Sequence, residues 1–207
     1  MRQEGSGVKG RLEVIAGCMF SGKTTHLFLT VERDILRGRR VQVLRIAPGG
    51  PFGTQILRAK SGLARSAIFV RDLEDLRRSI KSLVDVVAID DVHFLPEGFI
   101  QLVEELIDHG VNVIVTGLDL DFRGRPFGIM PILISMADSV VKRDAVCMAC
   151  YGVATRTQRF YGDRPASVDD DLIVHGAAER YEPRCRNCHV VSYEPPSPDK
   201  SLPQQKP

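Results

Sequence analysis

The 207-residue chain contains no tryptophan, and aromatic residues make up only 6% of it. No apolar run reaches the roughly 18 residues a membrane span needs, so no spanning segment is expected. The formal net charge is only +2 and no long basic block accompanies it, which argues against a nucleic-acid-binding surface. Arg37, Arg39 and Arg40 form the densest basic spot and read as a solvated helix end. The first ten residues lack the apolar stretch of a signal peptide, so the expectation is a cytoplasmic protein. In that setting five cysteines point to a metal or to free thiols rather than to disulfides.

What remains is ordinary globular material, 43% apolar and 26% charged, enough for one moderate core with a small appendage. Residues 1–9 are polar and are expected to be disordered. A short apolar run from Leu12 to Ala16 leads into a glycine-rich turn. A helical stretch follows from about Lys23 to Arg37, with Leu27, Val31, Ile35 and Leu36 on one face and Gly38 as its stop. Val41–Ala47 reads as a second strand. Pro48–Gly62 is rich in glycine and proline, has no period, and reads as a long loop.

Asp72–Leu83 reads as a helix with Asp72 as N-cap, and Val84–Ile89 as a strand ending at Asp90 and Asp91. A helix from Gly98 to His109 stops at Gly110, and Val111–Leu118 is another apolar strand. Strands without polar alternation, separated by helices, imply a parallel sheet covered on both faces. Near Lys142 this rhythm gives way to four cysteines and short β-like pieces. The expected organisation is therefore an α/β domain over 10–142, of P-loop NTPase type given Gly17-x-x-x-x-Gly22-Lys23-Thr24, and a small zinc-ribbon-like lasso domain over 143–193, given Cys147-x-x-Cys150 and Cys185-x-x-Cys188. The Pro-rich segment 194–207 is expected to be a disordered tail.

Gly17-Cys18-Met19-Phe20-Ser21-Gly22-Lys23-Thr24 fits the phosphate-binding loop pattern, and it lies between a strand and a helix as that motif requires. The glycines let main-chain N–H groups curl around phosphate oxygens, and the helix N-terminus adds positive potential. Lys23 would neutralise the β/γ oxygens and Thr24 would offer a hydroxyl to Mg²⁺. Asp90, at the end of a hydrophobic strand, supplies the acidic partner for the metal's water shell.

Cys147-x-x-Cys150 and Cys185-x-x-Cys188 are two knuckles with 34 residues between them. Together they can present four thiolates to a tetrahedral Zn²⁺, a closed and therefore structural site. Disulfides or a redox pair are the competing readings. A cytoplasmic setting disfavours the first, and two knuckles rather than one disfavour the second. His189 follows Cys188 directly, which makes simultaneous ligation awkward, and Cys18 reads as a small buried residue of the phosphate loop.

The order of strand, phosphate loop, helix, acidic strand end and double-knuckle element resembles the zinc-containing (type II) thymidine kinases over roughly residues 10–190. The Met-Phe-Ser core of the loop, Gly117 through Gly128, Ala154 through Arg159 and Gly176 through Cys188 carry the resemblance. It implies transfer of the ATP γ-phosphate to the 5′-hydroxyl of thymidine, a homotetramer, and feedback inhibition by the end-product triphosphate. Carried over residue by residue, Gly17 to Thr24 with Asp90, Asp91, Val92 and His93 would bind ATP–Mg²⁺. Asp91 and Lys23 would be catalytic. Phe94, Leu118, Phe122, Phe127 and Tyr181 would wall the base pocket. Main chain across Leu172, Ile173, Val174, His175 and Gly176 would hydrogen-bond the base edge.

The sequence departs from the family pattern in three places. Asp90-Asp91 stands where the family has Asp-Glu, so the proposed general base sits one methylene, about 1.5 Å, closer to the backbone. A shift of that size can lower a rate on the order of 10²-fold. His93 stands where the family has Gln, and it reads either as a substitute base or as a hydrogen-bonded strand-end residue. The family's Asp-x-Arg-Tyr loop is replaced by Pro48–Gly53, leaving Arg58 or Arg65 as candidate cations. The functional expectation is a thymidine kinase, with a degenerate nucleotide-binding paralogue as the alternative. A kinase for another nucleoside and a nucleic-acid-processing ATPase stand behind these.

Overall fold

The computed structural model describes residues 8–172 and 179–193. Of the segments expected to be disordered, 1–7 of 1–9 and all of 194–207 lie outside the described residues, as do the predicted base-edge residues Ile173, Val174, His175 and Gly176. Val8 is exposed, and Lys9 is ion-paired with Asp108 at 2.8 Å.

Five consecutive parallel strands build most of the main sheet, with the last of them at one edge: β1 (Leu12–Gly17), β2 (Val41–Ile46), β5 (Val86–Asp90), β6 (Asn112–Gly117) and β7 (Ser139–Arg143). A hairpin of β3 (Gly53–Arg58) and β4 (Ala64–Val70) completes it, giving seven strands in the order β3-β4-β2-β5-β6-β1-β7. Helix α1 (Lys23–Leu36) packs Leu27 and Val31 on one face of the sheet, against Ile15, Val86, Ala88 and Ile114. Helices α3 (Gly98–Asp108) and α4 (Met130–Met136) cover the other face, with Phe99, Val103, Met130 and Leu133 against Val14, Val87, Ile89 and Val115. Strand β5 is buried at every position, which is why it shows no polar alternation. Each buried Val, Leu, Ile, Phe or Met side chain among these contributes about 1.5–3 kcal/mol.

The segment expected to be a loop over Pro48–Gly62 contains strand β3. It is an edge strand whose Thr54, Gln55 and Ile56 are exposed, leaving Leu57 as its one buried side chain. A single inward residue gives no period to read. The helix expected over Asp72–Leu83 is shorter, α2 (Leu73–Ser79), because Ile80 turns extended. Asp72 caps it as expected, accepting from the Asp75 amide at 2.8 Å. Ile35 and Leu36, expected on the buried face of α1, are 43% and 79% exposed; Phe28, Thr30 and Asp34 take that face instead. Gly38 ends α1 in the left-handed region at φ 79°.

Beyond β7 the chain forms a smaller, strand-rich element. A short hairpin, β8 (Ala145–Val146) with β9 (Val153–Ala154), carries the first cysteine knuckle at its turn. A three-stranded sheet of β10 (Arg156–Tyr161), β11 (Arg164–Pro165) and β12 (Glu179–Arg184) leads into the second. No described helix is long and apolar enough to cross a membrane.

Candidate functional site

Strand register brings the site together at the carboxyl ends of the parallel strands, where ligands of open α/β sheets bind. Gly17 lies opposite Arg143, Arg45 opposite Asp90, and Ile89 opposite Val115. The turn after β1 is tight. A Cβ on Gly17 would meet the Arg143 carbonyl oxygen at 2.3 Å, so only glycine fits there. Phe20 and Gly22 adopt left-handed φ values of 64° and 79°, curling the main chain into a concave turn ahead of α1. Lys23 is buried and its Nζ donates to the Cys18 carbonyl at 2.7 Å, while the Ser21 hydroxyl donates to the same oxygen at 2.8 Å. Burial holds the Lys23 ammonium below its ordinary pKa, opposed by the nearby Asp91 carboxylate.

Asp90 is fully buried, and the Thr24 hydroxyl lies 3.1 Å from its Oδ2. It also accepts from the Thr116 hydroxyl, and from Arg45 Nη1 at 2.7 Å. Burial and the adjacent Asp91 charge push its pKa up to about 6. The other arm of Arg45, Nη2, reaches Asp91 Oδ2 at 2.6 Å. Asp91 itself sits in the left-handed region at φ 63°, with its amide donating to the Thr116 hydroxyl at 3.2 Å. One guanidinium thus spans two adjacent carboxylates, which lets both stay close without an unscreened like-charge contact.

A cavity of about 970 Å³ opens from this point. Met19 through Thr24 and Asp91 line it at one end, and Phe94, Leu118, Phe122, Phe127, Leu172 and Tyr181 at the other. The sequence-predicted phosphate loop and base-pocket residues therefore share one space. Val92 does not join them. It is fully buried in the sheet core. Asp90 stands behind the wall, holding Thr24, Thr116 and Arg45.

His93 belongs to the aromatic side of the cavity, with ring centroids 4.0 Å from Phe94 and 4.9 Å from Phe127. Its Nδ1 accepts the Leu118 amide at 3.2 Å, and burial, aided by Lys23, lowers its pKa to about 3. Such a ring is a poor proton acceptor at neutral pH, so the hydrogen-bonded reading of His93 prevails over the substitute base.

The four knuckle sulfurs lie within 4.8 Å of one another, and those of Cys150 and Cys185 are 3.7 Å apart. A tetrahedron with Zn–S bonds of about 2.3 Å has edges of about 3.8 Å, so this donor set fits structural zinc. His189 turns away from the sulfurs and donates from Nε2 to the Phe122 carbonyl at 2.8 Å, tying the cluster to the cavity wall. The Thr157 hydroxyl accepts the Met19 amide at 3.0 Å, and the Cys18 thiol donates to the Ala154 carbonyl at 3.4 Å. The cysteine element is thereby docked on the turn between β1 and α1.

Sequence reasoning missed Arg45, Thr116, Lys60, Ser61, Arg143 and Asp144. Arg45 and Thr116 sit in hydrophobic strands, where only register reveals which strand ends meet. Lys60 and Ser61 come from the hairpin that was read as a loop. There the Ser61 and Thr25 hydroxyls lie 2.9 Å apart, and Lys60 stands 5.6 Å over the Phe20 ring. Of the two candidate cations, Arg58 lines the cavity, whereas Arg65 pairs with Glu32 on α1.

A mainly parallel sheet with flanking helices, joined to a four-cysteine cluster of zinc-ribbon type, defines an α/β protein whose strand ends and sulfur-tied loops enclose one cavity. Residues 10–189 match the model of the thymidine kinase family, and the chain belongs to that family. Membership supports a kinase enzyme with a thymidine-kinase-type function.

Proposed function

We propose that the protein transfers the γ-phosphate of ATP to the 5′-hydroxyl of thymidine. The observation that carries this reading is the single cavity with Lys23, Thr24 and Asp91 at one end and Phe94, Leu118, Phe122, Phe127 and Tyr181 at the other. A triphosphate needs cations and amides, and a pyrimidine needs an apolar slot with a few polar contacts. Both are present within one wall.

In this reading the loop amides from Cys18 to Thr24 grip the phosphates and Lys23 offsets the charge that develops on the transferred group. Thr24 and Asp90 form an oxygen-rich pair suited to a hard cation, and Mg²⁺ held there would shield the phosphate oxygens. Asp91 takes the proton of the attacking hydroxyl. Arg45 aims its carboxylate, and Arg58 and Lys60 add positive charge from the hairpin side. Cys147, Cys150, Cys185 and Cys188 would hold zinc, which would fasten the element that carries Tyr181.

The test is formation of thymidylate from ATP–Mg²⁺ and thymidine by zinc-replete protein, with the other deoxynucleosides as competitors. Loss of product in Lys23→Ala supports the reading. Tight binding of both ligands without product at high enzyme concentration would favour the alternative, a paralogue that binds nucleotide but does not turn over. The short Asp91 arm is what keeps that alternative in play. A homotetramer is the assembly expected under the same reading, and light scattering measures it directly.

A further inference from the structure

Among the polar groups of the aromatic wall, His93 has its hydrogen-bonding role fixed by geometry. An amide N–H can only donate, so Nδ1, which accepts the Leu118 amide, carries no proton. The proton of the neutral ring therefore resides on Nε2, as a donor. Only 4% of His93 is exposed, and what exposure it has faces the cavity it lines. Among the described residues Nε2 has no hydrogen-bonding protein partner. Its neighbours in the wall, Phe94, Leu118 and Phe127, offer no side-chain acceptor.

The donor is also held rigidly. Residues 92–94 form a single 3₁₀ turn directly after Asp91. Gly128, at φ 50°, packs so closely on that turn that a Cβ there would lie 2.7 Å from the His93 carbonyl oxygen. Two flanking rings and the Leu118 amide fix the imidazole plane. A preorganised donor that opens on the cavity and has no acceptor among the described residues is an arrangement that discriminates ligands, because a ligand lacking the acceptor leaves it unsatisfied.

We propose that His93 is a specificity-determining residue that donates its Nε2–H to an acceptor oxygen of the bound nucleoside. The acceptor is either a carbonyl of the pyrimidine or an oxygen of the sugar; both present the same chemistry to an N–H. The proposal rests on the nucleoside-kinase reading of the cavity.

Calorimetry of thymidine and of ATP–Mg²⁺ binding to zinc-replete wild type, His93→Phe and His93→Gln tests it. Phe keeps a planar apolar ring without the donor, and Gln restores an N–H. The expected result is thymidine binding weakened roughly 10- to 100-fold in His93→Phe. The loss for thymidine should exceed any change in ATP affinity by at least about five-fold, and His93→Gln should recover most of it. An analogue with a base carbonyl oxygen replaced by sulfur, and one lacking the 3′-hydroxyl, locate the acceptor. The penalty of His93→Phe shrinks for whichever analogue has lost it. Nitrogen-15 spectra of labelled histidine give a readout free of activity: an unprotonated Nδ1, and an Nε2–H signal that moves when thymidine is added.

Unchanged thymidine affinity in His93→Phe, with wild type binding thymidine, overturns the donor assignment alone. So does an equal loss of thymidine and ATP binding, which would mean a collapsed cavity. A wild type that binds no nucleoside overturns the parent reading and the assignment with it.

Discussion

The two ends of the cavity are built in opposite ways. The phosphate end rests on strand termini of a sheet whose central strands are covered on both faces, with Gly17, Arg45, Asp90 and Arg143 placed by β-ladder register. The nucleoside end combines short turns with an element that owes its shape to four sulfurs and a few cross-links, such as His189 to Phe122. A sheet holds position through many cooperative contacts. A small strand-rich element with little core depends on its metal. Damage to the cysteine cluster should therefore fall first on the aromatic end of the cavity, and reach the other end only through the Thr157–Met19 and Ala154–Cys18 contacts.

The largest expected effect follows from that asymmetry. Removing zinc by chelation, or replacing Cys147 with Ser, should abolish thymidine binding and thymidylate formation. The α/β core should survive, with its circular dichroism little changed and its thermal transition still cooperative. Loss of the whole fold on chelation would erase the distinction between the two ends. Next in size is Lys23→Ala, at the sheet end. Removing the one buried ammonium of the phosphate loop should lower kcat about 10²- to 10³-fold, by analogy with loss of one preorganised transition-state donor. Thymidine affinity measured without ATP should hardly move. A comparable loss of thymidine binding would mean that the ends are not separable.

Asp91→Glu asks whether reach limits the chemistry. The Asp91 carboxylate is tethered to Arg45 and its backbone is already in the left-handed region. Lengthening the side chain by one methylene should raise single-turnover phosphoryl transfer on the order of 10-fold, with ligand affinities unchanged. A slower mutant would mean that the Arg45 clamp already places the shorter carboxylate correctly.

The same contrast explains what could be read from the sequence. The turn after β1 is local: eight consecutive residues carry both its shape and the phosphate-binding pattern, so Gly17 to Thr24 stand out as one candidate loop without a fold. The cysteine quartet was legible because metal ligands come in short pairs whose spacing is itself the signal. Arg45 and Thr116 were not legible. A polar residue inside an apolar strand has no local mark of function, and only the pairing of β2 with β5 and β5 with β6 brings it to Asp90. The β3–β4 hairpin was lost for a related reason, since an edge strand with one inward side chain carries no period. His93 stood between two readings until its Nδ1 partner, the Leu118 amide, was seen across 25 residues of sequence.

The smallest effect concerns Asp90 and has opposite signs for stability and function. Its pKa in the folded state is raised to about 6 from an ordinary 3.8, chiefly by burial and then by Asp91. The folded protein therefore binds this proton more tightly than the unfolded chain. The stabilisation from protonating Asp90 is fully present below about pH 3.8 and is lost as pH rises through about 6. A shift of this size corresponds to at most about 3 kcal/mol. Asp90→Asn, neutral at every pH, should flatten that part of the stability curve in metal-free buffer and stabilise the protein at pH 8 by about 1–2 kcal/mol. The same variant should bind ATP–Mg²⁺ more weakly, because the charge that burdens the fold is the one proposed to serve the cation. If urea denaturation at pH 8 finds Asp90→Asn less stable than wild type, the bonds from Arg45, Thr24 and Thr116 outweigh the burial of the charge, and the phosphate end is held by its polar network as much as by its sheet.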